Sequence, residues 1–123
     1  MATRIFLATM AIVWLPYGLY CFLDPSALRS MAGLTATTPT AMTELRAMYG
    51  GLQSAIGALA LLATVRRDLE RPALIMLATL LPGLAAARLL GLVLDGSWTA
   101  YTMMGLAFEI PGSFLAFALL RRR

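Results

Sequence analysis

Histidine and lysine are absent, cysteine occurs once (Cys21), and only 13% of the 123 residues are charged. Without histidine, imidazole acid/base chemistry and histidine-ligated zinc are excluded, and one cysteine allows neither an internal disulfide nor a Cys-His nucleophile. No metal site is expected. A soluble fold covers its surface with about a quarter charged residues, so this chain lacks the polar coat that water requires. Apolar residues fill the space instead, at 60% of the chain, with a mean hydropathy of +0.80.

Four apolar stretches, over residues 5–23, 41–65, 72–94 and 100–120, are each long enough to cross about 30 Å of hydrocarbon at about 1.5 Å per residue. The expected fold class is all-α: a four-transmembrane-helix bundle that forms a single membrane domain over residues 1–123. The first stretch follows Arg4 as a signal peptide would. It lacks a small-x-small cleavage site, so it is expected to remain as a span.

All ten basic residues are arginine, against six acids. Arg4, Arg66, Arg67, Arg71, Arg121, Arg122 and Arg123 flank one side of the four spans and Arg29 alone flanks the other, so both termini are expected on the cytoplasmic side. The positive charge then reads as a topology signal and a contact for anionic membrane lipids, with no nucleic-acid partner. On the opposite side, the outer loop 24–40 begins with Asp24-Pro25-Ser26, which stops the first span and caps a short interfacial helix through Leu34. Thr37-Thr38-Pro39-Thr40 restarts the chain. Asp95-Gly96-Ser97 is a tight turn that makes spans three and four antiparallel neighbours. Tyr17, Tyr20, Trp98 and Tyr101 fall near the outer boundary, as an aromatic belt would.

Glu44, Arg46, Arg88 and Glu109 lie in or beside these spans, where an ionised group at a helix centre costs about 2.5 to 3.5 kcal/mol. Two arginines against two glutamates sum to zero, as a paired internal network requires. At about 100° per residue, Arg46, Gln53 and Gly57 share a line on span two, with Tyr49 and Gly50 beside it. Arg88, Gly91 and Asp95 share one on span three, and Thr102, Gly105, Glu109, Gly112 and Ser113 form a stripe on span four. Counted from the outer ends, the charges fall in the outer half of the bilayer. Glu109 is expected to meet Arg88 or Arg46, with Tyr49 and Gln53 adding hydrogen bonds. Arg46, Tyr49, Gln53, Arg88 and Glu109 are therefore the candidate ligand-binding residues, supported by Glu44, Gly50, Asp95 and Thr102. A network that only fixes helix register is the alternative.

Pro111, just after Glu109, and Pro82-Gly83, ahead of Arg88, remove backbone donors and predict kinks that open the bundle near the charges. Small residues recur at Gly50, Ser54 and Ala58, at Ala47, Gly51 and Ala55, and at Gly83, Ala87 and Gly91, a spacing that allows close helix approach. Two such runs on span two suit contact with several helices, a second copy or another membrane protein.

The segment Glu44-Leu45-Arg46-Ala47-Met48-Tyr49-Gly50-Gly51-Leu52, with Arg88-Leu89-Leu90-Gly91, Asp95-Gly96 and Glu109, resembles a family of small bacterial four-span membrane proteins that is defined only as a domain of unknown function. Their E-x-R-A-x-Y-G-G-L signature opens the second span. The resemblance implies a multi-pass protein of a bacterial inner membrane and marks these positions, without supplying an activity. In overall plan the chain also looks like the DoxX-type quinone-linked membrane subunits.

Two arginines in a low-dielectric pocket with apolar walls suit an anionic or carbonyl head on a lipid-like tail. The expected function is binding of a lipidic or quinone-like ligand, or service as an accessory membrane subunit, with no cofactor beyond such a bound lipid or quinone. An oligomeric proton-coupled transporter or channel using Glu109, and a membrane enzyme acting on a lipid, are the alternatives. No nucleophile, metal set or phosphate loop supports the enzyme.

Overall fold

A computed structural model describes residues 1–122; Arg123, counted above in the C-terminal arginine cluster, lies outside the described residues. The described chain is all-helical, and four of its helical segments, Ala2–Leu23, Pro39–Val65, Arg67–Leu94 and Ala100–Arg121, are long and apolar enough to cross a membrane. Their ends fall within a few residues of the expected ones. The chain divides into two compact units, residues 1–69 and residues 70 onward.

In the first unit, α1 (Ala2–Leu23) ends where the sequence demands it. Asp24 leaves the helical region at φ −131°, because the residue before a proline is pushed out of the α conformation. Its carboxylate accepts from the Ser26 backbone N–H at 3.1 Å. A 3₁₀ turn, Pro25–Ala27, leads into α2 (Leu28–Ala32), and Gly33 closes that helix at φ 71°, a left-handed conformation that glycine adopts without strain. Two bonds complete this cap: Gly33 N–H donates to Arg29 at 3.1 Å and Leu34 N–H to Leu28 at 3.2 Å. Thr38 then starts α3 (Pro39–Leu45) by accepting from Ala41 N–H at 3.1 Å, with Pro39 in the first helical position, where no donor is missed.

Helix α3 does not pass directly into α4 (Leu52–Val65). Between them, Arg46–Gly51 form a π-helical turn, in which each amide reaches back five residues instead of four. The uniform step that aligned Arg46, Gln53 and Gly57 on one line therefore does not hold here. From this turn into α4, the second span packs against α1 in an antiparallel register at three glycines. A Cβ added at Gly57 would lie 2.5 Å from the Leu15 backbone nitrogen, one at Gly50 would lie 2.6 Å from Phe22 Cα, and one at Gly18 would overlap the backbone of Ser54. Each step toward the end of α1 is matched by an equal step back along α4 and into the turn that precedes it. Of the small runs on span two, Gly50 and Ser54 thus make this contact with Gly57, whereas Ala47 and Ala55 are exposed.

The second unit is a helical hairpin of α5 (Glu70–Leu94) and α6 (Ala100–Arg121). The connecting turn passes through Gly96 at φ 64°. Thr99 caps α6 by accepting from Thr102 N–H at 3.3 Å. The expected neighbour relation of spans three and four is present. Pro82 and Pro111 lie inside α5 and α6, which stay helical across them. The small run Gly83, Ala87 and Gly91 does not make the hairpin contact through Gly83, whose added Cβ would meet nothing within 4 Å.

Candidate functional site

The clearest polar centre is in the second unit. Glu109 sits on α6 about nine residues from its start and is only 3% exposed. A lone buried carboxylate would be prohibitive in an apolar helix pair, and Arg88 on α5 meets it. The Arg88 Nε–H donates to both carboxylate oxygens, at 2.9 Å to Oε1 and 3.1 Å to Oε2. Both contacts use the inner nitrogen of the guanidinium, so the two outer Nη groups lie outside the ion pair. The Arg88 side chain is 27% exposed, against 4% for Glu109.

Three residues of α6 build the bed in which Arg88 lies. Tyr101, Gly105 and Glu109 recur every four residues and so share one helix face. The guanidinium carbon lies 5.4 Å from the centre of the Tyr101 ring, within cation-π range. Gly105 supplies the gap: a Cβ there would fall 2.7 Å from Arg88 Nε and 2.8 Å from Cζ. Ser113 Oγ donates to the Glu109 backbone carbonyl at 2.7 Å, tying down the helix turn that carries the carboxylate. Thr102 is buried, and its hydroxyl is hydrogen-bonded to that of Thr99 at the helix cap. Asp95 is exposed at the turn and makes no side-chain hydrogen bond among the described residues.

In the first unit Arg46 has a different partner. Its Nη1 donates to the backbone carbonyl of Phe22, in the last turn of α1. That carbonyl has no intrahelical donor, because the N–H of Ser26 turns instead to Asp24, and a cation is favourable at the negative end of a helix dipole. Arg46 thus caps α1 from the opening residue of the π-turn. Tyr49 and Gly50 stand on the same turn, Gly50 against Phe22 and Tyr49 half-buried. Glu44 is exposed and makes no ion pair among the described residues. Gln53 makes no side-chain hydrogen bond among the described residues, contrary to its expected share in the network.

Of the two expected partners of Glu109, the ion pair is made with Arg88. Sequence reasoning missed Tyr101, which was read only as part of an aromatic belt, although its four-residue spacing to Gly105 and Glu109 placed it on their face. It also passed over Glu70, counted only with the arginine-rich loop. Glu70 is 2% exposed in the first turn of α5, where the helix dipole favours an acid. No group of three or more potential metal ligands occurs among the described residues.

Four long apolar helices and a charge pair enclosed between two of them define a small multi-pass protein of the membrane type. Residues 2–120 match the family described as Domain of unknown function (DUF4345), and the chain belongs to it. No curated protein and no solved structure matches the chain.

Proposed function

We propose that this chain is a small integral protein of a bacterial inner membrane, with both termini on the cytoplasmic side, that holds the polar head of a lipidic or quinone-like ligand at Arg88. It acts through that binding, alone or as an accessory subunit of a larger membrane assembly. The supporting observation is the one-sided use of Arg88: Nε alone engages Glu109, so the remaining donors serve other acceptors, the Tyr101 side chain among them, at a partly exposed position with room for a further one. Leu89, Leu90 and Met104, all exposed, border Arg88 and Gly105 in sequence and offer apolar contact for a tail. Arg46 plays another part in this reading, with its Nη1 directed to the Phe22 carbonyl and its role that of holding the start of the second span against α1.

Arginine offers a planar fork of donors, whereas lysine is a hydrated point charge. Arg88→Lys should therefore leave the helical content and melting temperature close to wild type while the mass of any co-purified ligand falls in native mass spectrometry. Equal ligand occupancy in both proteins, or no bound mass in either, would remove the support for this reading.

Orientation has its own check. A reporter active only outside the cytoplasm should give signal when fused after Leu34 or Ser97 and none when fused after Asp68. The reverse pattern would invert the topology.

A further inference from the structure

We infer that the head group taken by this site is a neutral carbonyl acceptor, of a quinone or an ester-linked lipid, and not an anion. The inference rests on Arg88 being the ligand-binding residue proposed above, and its basis is charge. Glu109 already neutralises Arg88 through both of its oxygens, at 2.9 and 3.1 Å. A second carboxylate or a phosphate on the outer Nη groups would place two anionic groups on one guanidinium and leave the site with a net negative charge in a low-dielectric setting, where like charges disfavour joint ionisation.

No other described cation of the second unit stands near enough to offset that charge. Arg71 is 17 residues before Arg88 on α5, about 25 Å along the helix, and Arg121 is 12 residues beyond Glu109 on α6, about 18 Å away. The one further acid of the hairpin at this end, Asp95, adds negative charge. A carbonyl oxygen accepts from the outer donors without bringing charge of its own. The cation-π contact with Tyr101 points the same way, since it stabilises the guanidinium through its face and adds no anion to the site.

The test uses the full-length protein in detergent at mildly alkaline pH, titrated in parallel with decylubiquinone, monoolein and oleate and followed by native mass spectrometry. At least one neutral carbonyl probe should bind about tenfold or more tightly than oleate, and the ranking of decylubiquinone against monoolein tells whether a quinone or an ester head fits. Glu109→Gln should shift the ratio of oleate affinity to neutral-probe affinity by about tenfold or more in favour of oleate. If the wild type prefers oleate and Arg88→Gln abolishes that binding, the neutral-head inference is overturned and the binding role of Arg88 stands. If no probe binds the wild type, or binding is indifferent to Arg88→Gln, the ligand-binding reading itself fails and takes the inference with it. The wild-type ranking decides the matter even where Glu109→Gln does not fold.

Discussion

Glu109→Leu should lower the stability of the protein by about 3 to 5 kcal/mol, although leucine suits an apolar helix better than glutamate does. The substitution leaves Arg88 on α5 with neither of its two carboxylate contacts, and the positive charge stays behind in a partly buried place. Removing one member of an enclosed pair strands the other, while removing both relieves the cost. The double variant Arg88→Met/Glu109→Leu should accordingly melt well above the single one. Thermal unfolding in detergent, read by circular dichroism, measures both. A single variant that melts with the wild type would mean that the pair contributes nothing to the fold.

Gly57→Leu is expected to be comparably severe for a steric reason. The Cβ at this position would lie 2.5 to 2.7 Å from the backbone nitrogen, Cα and Cβ of Leu15, so the clash is largely with main chain that cannot rotate away. Overpacking of this kind costs about 1 to 3 kcal/mol and occasionally more. The upper end is expected here, because withdrawing Leu15 also loosens the contacts of Gly18 with Ser54 and of Gly50 with Phe22 along the same interface. Gly83→Leu is the matched control: the same change in a helix where nothing lies within 4 Å, expected to fall within about 0.5 kcal/mol of wild type. If the two variants melt alike, the glycine contact between α1 and α4 is not what holds the first unit together.

The spans were readable because apolar length is a one-dimensional property, and the end of α1 and the start of α3 because Asp24-Pro25 and Thr38-Pro39 announce themselves chemically. The pairing of Glu109 with an arginine could be inferred from sign alone. Other features had no such letter. The π-turn at Arg46–Gly51 adds one residue to a turn without changing composition or hydropathy, so a constant helical step runs past it and misaligns the residues before the turn with those after it. Arg46 was expected to seek a side chain, yet it found the Phe22 carbonyl. Backbone acceptors are the same at every position of a sequence, and only the fold reveals which ones lack a donor. Tyr101 was visible but read for its depth instead of its face.

The separation of Arg88 from its partner has a consequence for how the chain enters a bilayer during synthesis. Arg46 finds its acceptor, Phe22, 24 residues earlier, so its compensation already exists when it emerges. Arg88 precedes Glu109 by 21 residues and emerges before the group that neutralises it has been made. Until α6 is synthesised, α5 carries an unmatched charge that opposes insertion, by at most the roughly 2.5 to 3.5 kcal/mol of a charge at a helix centre. Helices α5 and α6 are therefore suited to partition together as one hairpin, and a nascent chain halted between them would leave α5 lodged at the membrane surface or the insertion machinery.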